Sequence, residues 1–303
     1  MNKPIIGIVS KHYATYKSNK IDTFVRDEIK QAIFDNGGIA IGILPTESGI
    51  NYCGDEWKDN LSIEEKENLI AQIKLCNGII LQGGLETDNY ESIVSKYCYD
   101  NDIPILGICA GQNNIARALG GTTYKIHNPD KHDKSFDEYV HNIKIDKNSK
   151  FYNIVETTEI MVNSRHKRTI KDCPSLDKVA FCEDGYPDVI ESKNKKFYIG
   201  VRFHPESLYT KDEKMNSIFK EFINVPILAG ITILINNCSF VLLKVFAILI
   251  ISLSVFRYPF SISSTVTIKE IKIAIVMIAG MPDPDPNYDY WTKCNFWQTV
   301  QYY

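Results

Sequence analysis

PILGICAGQNNIARALGG, residues 104–121, reads as a buried strand, a glycine-flanked turn and the start of a helix. The apolar run ahead of Cys109 has strand length, and NNIARALGG after it has helical character. Gly107 and Gly111 flank Cys109, and a G-x-Cys-x-G turn between strand and helix is the arrangement of a nucleophile elbow. Its glycines permit a tight backbone that bulkier side chains would block. The cysteine then stands above the sheet at a helix N-terminus, where the helix dipole favours the thiolate.

Outward from this turn, strand-length apolar runs alternate with amphipathic stretches. PIIGIV (4–9) reads as a buried strand, IAIGILP (39–45) as a second strand and GIILQGG (78–84) as a strand running into a glycine turn. Between them, Phe24, Val25, Ile29, Ala32 and Ile33 have helical spacing over Thr23 to Asn36, and Gly37-Gly38 stops that helix. Ser62 and Glu65 form a capping-box pattern that opens a helix to about Cys76. Tyr90 to Asn101 is a further helix. This alternation predicts an α/β fold with a mostly parallel central sheet and helices on both faces. From Thr122 onward the texture changes to antiparallel strands: YVHNIKI (139–145), EIMVNS (159–164), KVAFCED (178–184), DVIES (188–192) and KFYIGVRFH (196–204). A short helix over Met215 to Asn224 closes a first domain, residues 1–225.

Residues 226–303 form an apolar C-terminal extension. FVLLKVFAILIISLSVF (240–256) holds one Lys and lies at the short end of a membrane span. Three readings of this tail stand side by side: a membrane anchor centred on 226–260, a second domain cut short, and a sequence artefact. The expected compartment is the cytoplasm, with tethering through 226–260 on the anchor reading, because Met1 to Ser10 lacks a secretory pattern.

Composition narrows the classes. Hydrophobic residues are 44% and charged residues 23%, which excludes wholesale disorder. Lys and Arg number 34 against 37 Asp and Glu, a net charge of −3, so no global basic field points to nucleic acid. The 8 cysteines form no CxxC pair, which argues against a zinc ribbon, and His12, His127, His132 and His141 have no ligand-like spacing. No metal is expected on these grounds.

Two further segments complete a candidate site. Phe203-His204-Pro205-Glu206-Ser207 follows a strand, and a cysteine nucleophile needs a base and an orienting group. His204 suits the first role and Glu206 the second, since residues two apart on an extended segment face the same side. Leu81-Gln82-Gly83-Gly84 ends another strand, and the backbone N–H of Gly84, with that of Ala110, can point at a developing oxyanion.

With KPIIGIVS, LQGG, GICAG, VNSRH and FHPES, residues 3–224 resemble the class I glutamine amidotransferase superfamily. Within it the chain is most similar to the γ-glutamyl-γ-aminobutyrate hydrolase family, peptidase family C26. The resemblance implies a flavodoxin-like fold, a Cys109–His204–Glu206 triad, and a γ-glutamyl thioester on Cys109 that water resolves to glutamate. It implies a small γ-glutamyl substrate, linked in that family to putrescine breakdown. No cofactor is expected, because the thioester carries the chemistry. By family position, Gly83, Asn113, Ser164, Arg165 and His166 line the substrate pocket.

The chain departs from the family at several points. Ala110 stands where a larger residue such as Arg is usual. Asn113 occupies the place of a common Gln, with Gln112 one position early. NSxHHQ appears as Asn163-Ser164-Arg165-His166-Lys167-Arg168. Arg165, Lys167 and Arg168 read first as a solvated basic loop, since charge runs usually face solvent, and in second place as a grip on an anionic leaving group. Three alternatives to the simple hydrolase therefore stand: a glutaminase subunit with a synthetase partner, a hydrolase of a phosphate-bearing γ-glutamyl amide, and a catalytically idle binding protein. Homo-oligomerisation is left open.

Overall fold

The computed structural model describes residues 3–15, 20–47, 61–84, 89–134 and 138–225. The expectations for the tail, 226–303, fall outside these residues. Among the described residues no helix is long and apolar enough to cross a membrane.

In chain order the elements are β1 (Ile5–Val9), β2 (Lys11–Thr15), β3 (Lys20–Phe24), α1 (Asp27–Asp35), β4 (Ile39–Ile43), α2 (Ile63–Lys74), β5 (Gly78–Leu81), α3 (Asn89–Asp100), β6 (Ile105–Ile108) and α4 (Ala110–Ala118). There follow β7 (Thr122–Lys125), β8 (His141–Ile145), α5 (Lys150–Val155), β9 (Glu159–Val162), β10 (Arg168–Asp172), β11 (Asp177–Cys182), β12 (Pro187–Glu191) and β13 (Tyr198–Val201). A helix over 213–225 (α6) comes last.

Nine strands form one mixed sheet in the order β4-β1-β5-β6-β13-β12-β11-β8-β9. Strands β4, β1, β5, β6 and β13 run parallel. The sheet continues antiparallel through β12, β11, β8 and β9. Both halves follow the texture of the sequence with one correction: β13, expected among the antiparallel strands after Thr122, runs parallel to β6 and antiparallel only to β12.

Successive side chains of a strand leave opposite faces, and the core divides accordingly. Ile6, Ile8, Ile80, Leu106 and Ile108 pack on one face with Ile29 and Ile33 of α1 and Phe219 and Phe222 of α6. Ile79, Leu81 and Ile105 pack on the other with Leu69 and Ile73 of α2, Val94 of α3 and Ile115 of α4. Each such aliphatic side chain contributes about 1.5–3 kcal/mol by leaving water. The Ser62 capping box is formed: its hydroxyl accepts from Glu65 N, and the Glu65 carboxylate accepts from Ser62 N at 2.8 Å.

Three local expectations are corrected. The first helix begins at Asp27, not Thr23, because Thr23 and Phe24 pair with His12 and Lys11 in the β2–β3 hairpin. Arg168, weighed with its neighbours as a basic loop, instead opens a strand, Arg168–Asp172, paired with β7. Lys150–Val155 forms a helix that the apolar pattern does not announce; it starts on Ser149, whose hydroxyl accepts from Tyr152 N at 2.9 Å.

The crossing of α4 over β5 is close. A Cβ built on Gly111 would stand 2.3 Å from Leu81 O, and one on Gly107 would stand 2.5 Å from Ile115 Cδ1. Gly111→Ala therefore forces the helix off the strand and lowers stability by about 1–3 kcal/mol or more, read as a drop in thermal midpoint. Gly42→Ala, whose new methyl would meet nothing nearer than Val25 at 3.7 Å, leaves the midpoint nearly unchanged.

Candidate active site

The close crossing leaves Cys109 at the junction of β6 and α4 with φ 53° and ψ −102°. A positive φ in a non-glycine residue costs on the order of 1–3 kcal/mol and persists only where the surroundings enforce it. Here Cys109 N donates to Val201 O of the neighbouring strand at 2.8 Å, and Cys109 O accepts from Gln112 N at 3.1 Å. The side chain is buried yet not sealed, at 8% exposure. Ala110 is the first helical residue, so its N–H has no intrahelical acceptor.

Strand β13 lies beside β6, and the chain leaving it delivers His204 to Cys109. The two side chains act on each other electrostatically. His204 Nδ1 lies 2.7 Å from Glu206 Oε1, which leaves Nε2 for the thiol side. Burial works against charge on both Cys109 and His204. In each case the partners win: the imidazolium and Arg202 hold the thiol below its ordinary value, and Glu206 with the thiolate raises His204. The pair is thereby biased toward thiolate and imidazolium.

Neighbouring backbone is held as firmly. Asn163 Nδ2 donates to His204 O at 2.9 Å, and Asn163 Oδ1 accepts from His204 N at 2.7 Å. Gly83 packs against both ring and thiol: a Cβ there would stand 2.8 Å from His204 Cε1 and 3.4 Å from Cys109 Cβ. The buried Gln82 side chain donates to Val9 O and Phe24 O and accepts from Arg26 N, stitching three segments together just before the glycine turn. Gly84 rests on the Lys11 side chain. Lys11 is in turn buried against Glu91 at 2.5 Å, and Asn114 Nδ2 donates to the same carboxylate oxygen at 2.6 Å.

The remaining expected site residues divide. Asn113 lies one turn along α4 from Cys109, buried, with its Oδ1 unbonded. Ser164 is also buried, and its carbonyl accepts from Lys134 N at 2.9 Å. Arg165 is bridged through its backbone to Asp133. His166 is buried, its Nδ1 is 3.0 Å from Arg168 O, and its ring packs against His132. Burial, with the charges of Arg202 and His132, holds its pKa well below the ordinary imidazole value. Lys167 is exposed and paired with Asp133 at 3.1 Å, and Arg168 reaches Thr123 at 3.4 Å. Gln112 is no substitute for the family's Gln, because its amide donates to Asp188 O and Gly200 O inside the sheet.

Sequence reasoning assigned no part to Arg202, Gln82, Lys11 or Glu91, and quoted Asn163 only as a motif letter. Arg202 is fully buried, its Nη1 is 3.4 Å from Cys109 O, and burial brings its pKa down to about 10. A charged residue in the apolar run YIGVRF was the available signal.

Comparison with known proteins matches the chain to a family. A family model for peptidase C26 matches residues 84–206, the span from the glycine turn to Glu206. The chain is 32% identical over 176 residues to anthranilate synthase component 2 of Cyanophora paradoxa, covering 55% of this chain and 82% of that one. The chain belongs to the class I glutamine amidotransferase superfamily. It is also 29% identical over 138 residues to the glutamine-hydrolyzing GMP synthase of Vibrio vulnificus, covering 45% of this chain. That alignment spans only 25% of the GMP synthase. A Thermoplasma acidophilum protein of known structure, provisionally named as a GMP synthase subunit, has a similar fold, with a TM-score of 0.54 at 18% identity over 76% of this chain and 97% of that one.

Asn163→Ala leaves the His204 N–H and C=O without their buried partners. The loss expected in urea unfolding is about 2–4 kcal/mol, and Asn163→Asp, which keeps the acceptor, loses less.

Proposed function

We propose that this protein is a cysteine hydrolase of a γ-glutamyl amide, with γ-glutamyl-γ-aminobutyrate as the leading substrate. The observation that carries the reading is the buried set Cys109, His204 and Glu206 at the strained strand–helix turn, with His204 Nδ1 2.7 Å from Glu206 Oε1 and the thiol and imidazole charge-coupled. The Cys109 thiolate attacks the γ-carbonyl carbon, and the carbonyl π pair moves to oxygen. Backbone N–H groups of Ala110 and Gly84 receive that oxyanion. As the C–N bond breaks, protonated His204 gives its Nε2 proton to the leaving amine, and a γ-glutamyl thioester remains. Water then attacks the thioester, His204 takes its proton, and glutamate leaves with Cys109 restored. Glu206 holds the imidazole in the required orientation and stabilises its charge. Gly83, Asn113, Ser164, Arg165 and His166 border the glutamyl pocket in this reading.

A second reading is a glutaminase that passes ammonia to a separate synthetase. It draws on the relatives, one named a GMP synthase and the other an anthranilate synthase component. Glutamate release by the full chain, with Cys109→Ala as control, separates the two. The panel holds γ-glutamyl-γ-aminobutyrate, glutamine and a phosphate-bearing γ-glutamyl amide. The expected result is release from the first, reduced at least ~10⁴-fold in Cys109→Ala. Turnover of glutamine alone favours the synthetase-linked reading, release from the phosphate-bearing amide alone moves the substrate to that class, and no release by folded protein overturns hydrolysis altogether.

The pH profile supplies an independent check. Glu206 raises His204, so the basic limb of kcat/KM, where the imidazolium is lost, lies above an ordinary histidine value. Glu206→Gln removes that support, and the basic limb moves to lower pH. A limb that stays in place would remove Glu206 from the orienting role.

A further inference from the structure

A second cluster of buried titratable side chains lies on the antiparallel half of the sheet, outside the reaction just described. Cys182 ends β11 and pairs with Ile143 of β8. His141 stands two residues before Ile143, so its side chain leaves the sheet on the same face as Cys182. His132, from the turn after β7, lies across them, its ring centroid 5.1 Å from that of His141 in an edge-to-face arrangement. One ligand atom from each of His132, His141 and Cys182 falls within 4.8 Å of the other two. No pair of the three is closer than nine positions in sequence, which is why spacing concealed them.

The polar atoms of this cluster are left over from the rest of the fold. His132 is 3% exposed; its Nε2 is 3.2 Å from Asp184 Oδ2, and its Nδ1 has no hydrogen-bond partner. A carboxylate that accepts from Nε2–H puts the lone pair on Nδ1, the arrangement that orients a histidine toward a metal ion. Neither ring nitrogen of His141 is hydrogen-bonded, and its Nε2 is 3.4 Å from Asp188 Oδ2. Asp188 is buried, and neither of its carboxylate oxygens has a hydrogen bond. A buried carboxylate and three lone-pair donors together favour a cation.

We propose that His132, His141 and Cys182 form a binding site for a divalent zinc-type metal ion. Two imidazoles and one thiolate are the borderline-soft donor set that Zn²⁺ prefers over Mg²⁺ or Ca²⁺. Tetrahedral coordination brings such ligand atoms to separations of about 3.3–3.8 Å, so the cluster closes by about 1 Å on binding. The Cys182 proton passes to solvent on binding. Arg202 and Lys131 are the neighbouring cations; Asp188 draws on the first, and Asp184 pairs with the second at 3.5 Å.

The site also has a structural consequence. The 132–134 segment holds the 164–166 segment through Lys134 N to Ser164 O, His166 N to His132 O and the Asp133–Arg165 bridge. A metal on His132 would pin that segment to β8 and β11, next to the Asn163 clamp on His204. It is a positioning site and takes no part in the chemistry.

Metal binding by the full chain in a Cys109→Ala background tests the proposal, since that change removes the other buried thiol–imidazole pair. Cobalt(II) is expected to give a thiolate charge-transfer band and tetrahedral visible bands at one equivalent. Zinc is expected to displace the cobalt and raise the thermal midpoint. Adding either Cys182→Ser or His132→Ala, with folding checked by circular dichroism, abolishes the charge-transfer band and weakens binding at least ~100-fold, beyond what loss of an outer-shell partner does. A band that survives Cys182→Ser, binding without sulfur character, or no binding by the folded Cys109→Ala protein would each overturn the site.

Discussion

Cys109 holds a positive φ because α4 starts directly on the end of β5. Gly111 lies against Leu81 O with no room for a methyl group, and Gly107 admits Ile115. Between them the chain has one way to pass from strand to helix, and that way turns the thiol out of the sheet. The strain is local, but what sustains it is the whole parallel half of the sheet, which fixes β5, β6 and β13 side by side. The bond from Cys109 N to Val201 O then ties the turn to the strand that leads to His204.

The electrostatics follow from that placement. Burial alone would keep the thiol and the imidazole neutral. Each becomes the other's counter-charge, Glu206 adds a negative charge beside the ring, and Arg202 adds a positive one near the thiol. Asn163 holds the His204 backbone by both its polar groups, so the ring does not drift when the thiol moves. The glycine turn on the other side is anchored by Gln82 and by the buried Lys11–Glu91 pair. These supports come from five separate segments.

Much of this was legible in the chain. Continuous apolar runs and punctuating glycines marked β1, β5 and β6 because strands buried on both faces carry no alternation to obscure them; β4 was marked by its apolar run too, although it lies at the sheet edge with Ile39 exposed. GICAG and FHPE marked the reactive pair because few other uses require those residues at those places. The β2–β3 hairpin and the β7–β10 pair were missed, since KIDTF and RTIKD carry polar residues that look like helix or loop until a partner strand is known. Arg202, Lys11 and Glu91 were missed because a charged residue reads as surface unless its buried partner is in view.

The amino-acid sequence by itself determined the α/β class, the strand–turn–helix at Cys109, and the residue types suited to thiol chemistry. These depend on local pattern: period, glycine placement and short spacing. Only the tertiary structure decided which charges are buried and which histidines meet. His204 reaches Cys109 across 95 positions because β13 inserts beside β6, and His132, His141 and Cys182 meet because β8 and β11 pair under the 129–134 turn. Such contacts are set by strand order, which residues distant along the chain specify jointly and no short stretch contains.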